Sequence, residues 1–183
     1  LWLAGWSLHL TFLQQVAHLN ATTFLSPTNP TVETVLTQLD LALHGQWVFR
    51  PNIRPFQLVA EPLWVAIVTK SGLIICVIAL FSRQKRLAVR FLGLAILMPV
   101  LGPFAGAHYY ILPLMALPAL YNILSAREAL RWIVFVGLVG NIAVYILLFQ
   151  LNGILLATDL APVLAFGALF TRMILVSPTS DQI

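Results

Sequence analysis

The sequence predicts an all-α, polytopic integral membrane protein: a helical bundle of about five spans with an amphipathic segment on its outer side. Three observations predict it. Hydrophobic residues make up 60% of the 183 positions and charged residues only 9%, where a soluble globular chain carries about 25% charged residues. The mean hydropathy is +0.93. The few charges are gathered in short clusters between long apolar runs, several of them near the ~20 residues that cross a bilayer.

Taken in order, Leu1 to Leu19 is apolar with Trp2, Trp6, His9, Gln14, Gln15 and His18 interspersed. It reads as the end of a span or as an interfacial helix with its tryptophans at headgroup level. Asn20 to Thr31 gathers turn formers, Ser26, Pro27, Asn29 and Pro30. From Thr31, apolar residues at Val32, Val35, Leu36, Leu39 and Leu43 recur at helical spacing, with Glu33, Gln38 and Asp40 between them. That pattern predicts a short amphipathic helix on the membrane surface, ending near Gly45. Trp47 to Pro62, with Arg50, Pro51, Arg54 and Pro55, reads as an ordered loop. Five apolar runs follow: Pro62 to Phe81, Leu87 to Leu101, Tyr109 to Leu124, Leu130 to Leu151 and Gly153 to Val176. The organisation is therefore an outer segment over residues 1–61, a transmembrane bundle over 62–176 and a polar tail over 177–183. The chain begins at Leu1 rather than methionine, as expected of a piece of a longer protein or one from which a segment has been removed.

The charges orient the bundle. Arg83, Lys85, Arg86 and Arg90 lie between the first two runs, and Arg127 and Arg131 lie two spans later. Both clusters therefore share a side, and lysine and arginine prefer the cytoplasm. The turn at Gly102 to Gly106 and the outer segment then face away from it. The net charge of +4 sits in these clusters and makes no basic face, so no nucleic-acid partner is expected. One cysteine, Cys76, rules out a disulfide framework within the chain. No Walker loop, HExxH, GxSxG or paired-carboxylate pattern occurs, and neither a metal nor a cofactor is expected.

Several residues stand out against this apolar background. Lys70 falls near the middle of the first run, where a lysine costs at least ~2.5 kcal/mol, so it is expected to face the bundle interior. Asn141 and Asp159 lie within the fourth and fifth runs and suit interhelical hydrogen bonding. His108, Tyr109 and Tyr110 open the third run on the outer side. On the residues alone they read first as an aromatic belt with an interfacial histidine, and second as donors to a phosphate. Arg50 and Arg54 place two guanidinium forks on the same outer side, suited to a phosphate or to solvent.

The stretch Arg83 to Leu124, RQKRLAVRFLGLAILMPVLGPFAGAHYYILPLMALPALYNIL, resembles one group of enzymes. These are the polyprenyl-phosphate-sugar-dependent glycosyltransferases of the GT-C superfamily, especially the family 87 mannosyltransferase-like proteins. There a basic cytoplasmic loop leads into a helix, a Ser-Pro turn and a His-His or His-Tyr pair that opens the next helix. Here Pro103 and the pair His108-Tyr109 match, and Gly102 stands where serine is usual. The resemblance implies a C-terminal part of such an enzyme, with a lipid-linked sugar bound at the outer face and His108 near its phosphate. The family's catalytic carboxylate, in an outer loop far towards the N-terminus of a longer chain, has no counterpart here. Two readings follow: a glycosyltransferase-like membrane domain, incomplete as it stands, or a non-catalytic accessory subunit of a larger membrane complex. The partners expected are membrane lipids, a polyprenyl-phosphate sugar and other membrane protein chains.

Overall fold

The computed structural model describes residues 6–7, 10–11, 13–15, 21–26, 29–46, 57–81, 87–102, 107–140 and 155–176, with the backbone alone at 57, 107–108, 155–158 and 176. The chain is mostly helical, with one departure from the all-α expectation. Strand β1 (Thr22–Leu25) pairs antiparallel with β2 (Gln57–Ala60), Thr22 opposite Ala60 and Leu25 opposite Gln57. Segments read from sequence as turn formers and loop thus make a small sheet. Glu61 extends the pairing, its N–H donating to the Ala21 carbonyl at 3.0 Å.

Helix α1 (Val32–Leu43) is fixed at both ends by its sequence. The Thr31 hydroxyl accepts from the Thr34 N–H at 3.0 Å, satisfying one of the free donors of the first turn. At the other end Gly45 takes φ +73°, and the N–H groups of Gly45 and Gln46 return to the Ala42 and Leu41 carbonyls. This is the paired closure that a left-handed glycine allows. Helix α2 (Leu63–Phe81) follows β2 directly, and α3 (Leu87–Leu101) packs back against it. The third apolar run is broken, as its prolines demand. A 3₁₀ turn at Ala107–Tyr110, α4 (Ile111–Ala116) carrying Pro113, and a 3₁₀ segment at Leu117–Asn122 carrying Pro118 replace one continuous helix. Helix α5 (Ala126–Val139) starts four residues before the expected Leu130, after Ser125 in extended conformation. The part of that run from 141 onward lies outside the described residues. Helix α6 (Leu155–Val176) is the last described element.

The core forms where α3, α6 and the broken third run meet. Leu92 and Ile96 of α3, Phe166, Leu169 and Met173 of α6, and Tyr110 and Leu120 are all fully buried. Tyr110 stacks on Phe166 at 5.1 Å. Helix α2 reaches this core mainly through Leu80, which sits so close to Gly93 that a Cβ there would come within 2.5 Å of Leu80 Cδ2. Val65 and Thr69 of α2 are also buried, whereas Ile67, Val68, Ile74, Ile75 and Ile78 are exposed. Among the described residues α2 is the one helix long and apolar enough to cross a membrane, with shorter apolar helices at Leu87–Leu101 and Ile111–Asn122.

Charge divides the two ends of the bundle. The starts of α2 and α6 both meet α1, through Trp64–Asp40 and Asp159–Gln38 hydrogen bonds of 2.6 Å. At the opposite end Arg172 of α6 bonds Glu128 of α5 at 2.6 Å, and Arg90 of α3 lies over the Phe81 ring. Among the described residues, Glu33, Asp40, Glu61 and Asp159 lie at the first end, and Arg90, Arg127, Arg131 and Arg172 at the second. Lys70 and Glu128 are the exceptions.

A buried acidic seam beneath the cap

Helix α1 is amphipathic, but it buries a mixed set of side chains, with polar residues going in beside Val35. The side carrying Glu33, Thr34, Thr37 and Gln38 is buried, while Leu39 and Leu43 are exposed. Positions 33 and 37, like 34 and 38, are one turn apart and share a face. That polar face closes onto β1 and the start of α6, making a cap whose hydrophilic side looks inward.

Several separate groups of hydrogen bonds line the seam. The Thr23 hydroxyl donates to Glu33 Oε1 at 2.9 Å and lies 3.2 Å from the Thr37 hydroxyl. Asn29 donates through Nδ2 to the Phe24 carbonyl at 2.7 Å and to the Thr34 hydroxyl at 3.2 Å. Gln38 Nε2 donates to Asp159 Oδ2 at 2.6 Å, joining residues 121 positions apart. The Tyr110 hydroxyl donates to the Pro30 carbonyl, so the loop before α1 is latched to the bundle core.

Gln38 Oε1, Asp159 Oδ1 and Glu61 Oε1 are buried with no hydrogen-bond partner among the described residues. A buried acceptor left unpaired costs about 1–3 kcal/mol, so the seam has unused capacity for donor groups. Burial raises the Glu33 carboxyl from 4.5 to about 7; the Thr23 hydrogen bond and the Lys70 charge pull it down, and the Glu61 charge pushes it further up. Near neutral pH Glu33 is therefore divided between acid and carboxylate, a state that serves proton transfer.

Lys70 does not face the bundle interior as expected. Its side chain is 62% exposed, and Nζ lies 3.4 Å from Glu61 Oε2. Lys70 is seven residues along α2 from Leu63, about 10 Å down the axis, and its long chain runs back up to the acid at the head of the helix. Reaching upward to a partner is the usual solution for a lysine on an apolar helix. Asp159 is fully buried at the seam. Arg50, Arg54, Asn141 and the side chain of His108 lie outside the described residues; Tyr109 is exposed. The tyrosine that joins the cap to the core is its neighbour, Tyr110.

Sequence reasoning missed Glu33, Gln38 and Glu61 as site residues. The one local signal was the threonine-rich run of Thr22, Thr23, Thr31, Thr34 and Thr37, which supplies hydroxyl partners for an inward polar face. Compared with protein-family models, curated proteins and solved structures, the chain finds no match.

Proposed function

We propose that the chain is a polytopic membrane domain of the glycosyltransferase type that handles a polyprenyl-phosphate-linked sugar at the outer face, with the seam beneath the cap receiving the sugar. The observation that carries this reading is the set of three buried acceptors, on Gln38, Glu61 and Asp159, that lack donors among the described residues. A sugar is a dense array of hydroxyl donors, and it suits a seam of that character better than an anion does. Glu33 supplies a group able to take a hydroxyl proton near neutral pH. Lys70, exposed beside Glu61, supplies a cation at the depth where a lipid-borne phosphate would lie. The exposed isoleucines of α2 give the prenyl chain an apolar track below it. The Pro103 and His108-Tyr109 resemblance and the paired arginine clusters support the same orientation, cap outside and arginines inside.

The test is ligand-dependent stability of the purified protein in detergent. A polyprenyl-phosphate sugar should raise the unfolding temperature saturably, and the same lipid phosphate without sugar should do so far less. Glu61→Gln should remove most of the sugar-dependent part. Equal shifts by both lipids, or none by either, would refute the sugar reading.

A second reading, an accessory subunit of a larger membrane complex, is favoured by Lys70. A 62% exposed lysine on an otherwise apolar helix is a natural contact for an acidic residue of a neighbouring chain. Recovery of a stable complex with a larger membrane protein, lost in Lys70→Leu, would support it.

A further inference from the structure

The end of the bundle opposite the cap carries an open cleft of about 880 Å³. It is lined by Arg127, Glu128, Arg131 and Trp132 of α5, Phe135 one turn below, and Arg172 of α6. Three guanidinium groups against one carboxylate leave the cleft with a net positive charge of two. Glu128 Oε1 accepts from Arg172 Nε at 2.6 Å, which fixes the plane of that guanidinium across the gap between the two helices. Arg127 and Arg131, one helical turn apart on α5, are exposed and form no ion pair among the described residues. Beneath them Trp132 and Phe135 meet edge to face at 5.8 Å, and the helix surface continues into exposed Val134 and Leu138. The cleft thus grades from basic to aromatic, and the helix surface beyond it is apolar.

That gradient matches a phospholipid rather than a free anion. A phosphate needs only the arginine forks; the aromatic and aliphatic steps below add affinity only for a ligand with a glycerol backbone and acyl chains. We propose that this cleft holds the headgroup phosphate of an anionic glycerophospholipid, with Arg127, Arg131 and Arg172 on the phosphate and the Trp132–Phe135 pair on the glycerol region. The proposal shares with the preceding section only the placement of the arginine end at a membrane surface, where basic groups meet anionic lipid. It does not depend on the sugar chemistry of the cap.

The experiment uses the purified chain in a neutral detergent, titrated with phosphatidylglycerol, phosphatidylcholine or inorganic phosphate, and reads the unfolding temperature. Phosphatidylglycerol should stabilise saturably, phosphatidylcholine weakly and inorganic phosphate not at all. Arg131→Gln should weaken the apparent affinity for phosphatidylglycerol about tenfold, one charged hydrogen-bonded contact. Arg131→Lys should recover only part of it, and Arg90→Gln, outside the cleft lining, should leave it unchanged. Equal stabilisation by phosphatidylcholine, or an equal effect of Arg90→Gln and Arg131→Gln, would overturn the site. Stabilisation by inorganic phosphate alone would overturn the lipid and assign the cleft to a soluble phosphate ligand. Because the polyprenyl lipid is absent from these titrations, their failure is distinct from failure at the cap.

Discussion

Replacing Glu33 by glutamine isolates the energetic consequence of burying a carboxyl beneath the cap. Glutamine has nearly the same shape, and its carbonyl oxygen can still accept from Thr23, so the variant changes charge with little change in packing. The folded carboxyl titrates at about 7 against 4.5 for the ordinary group. The folded state therefore binds the proton more tightly than the unfolded state. Below pH 4.5 both states are protonated and Glu33 contributes nothing to pH dependence. Between 4.5 and 7 the unfolded chain releases its proton and the folded chain keeps it, so stability falls as pH rises. Above about 7 both are ionised and the loss is complete. A displacement of about 2.5 pH units corresponds to up to about 3 kcal/mol. Thermal unfolding in detergent should therefore show Glu33→Gln equal to the natural chain near pH 4.5. It should be more stable by up to about 3 kcal/mol at pH 8, with the difference growing across that window. A difference that stays flat from pH 5 to 8, or a variant less stable at pH 8, would refute the burial argument.

Other consequences are equally direct. Tyr110→Phe removes the hydroxyl that donates to the Pro30 carbonyl and should cost about 1–2 kcal/mol in thermal unfolding, with the buried carbonyl left unpaired. Gly93→Ala drives a methyl against Leu80 and should cost about 1–3 kcal/mol; combined with Leu80→Ala, the total should fall short of the sum of the two single losses, because the space is vacated. Glu128→Gln breaks a half-exposed ion pair with Arg172 and should cost no more than about 1 kcal/mol, shrinking as salt is added.

Helix content was legible because long apolar runs bounded by polar clusters read as helices. Leu87–Leu101 has the same limits in sequence and structure, and α1 begins at Val32 behind Thr31 and closes at Gly45 as its capping residues require. The third run, read as one short span, instead winds as 3₁₀ on either side of a short α-helix, because Pro113 and Pro118 interrupt it. The sheet was hidden because each strand has four residues and its partner lies more than thirty positions away, beyond any local pattern. The burial of polar residues on α1 was hidden for a different reason. Periodicity shows that a helix has two faces, but which one turns inward depends on what the rest of the chain offers. Here Thr23 and Asp159 offer hydrogen bonds, and Glu33, Thr37 and Gln38 go in beside Val35. Lys70 was misread because its partner, Glu61, sits at the head of its own helix, within reach only once the side chain is allowed to climb.

The proposed function depends on the cap and the arginine end lying on opposite sides of a membrane. Accessibility of introduced cysteines measures this directly, in a Cys76→Ser background that removes the natural thiol. His44→Cys reports the exposed end of α1 in the cap, and Ala126→Cys reports the exposed first turn of α5 beside the cleft. With a maleimide that cannot cross the membrane, His44→Cys should be labelled on intact cells, and Ala126→Cys only after the membrane is permeabilised. Labelling of both from the same side, or of Ala126→Cys alone on intact cells, would contradict the account.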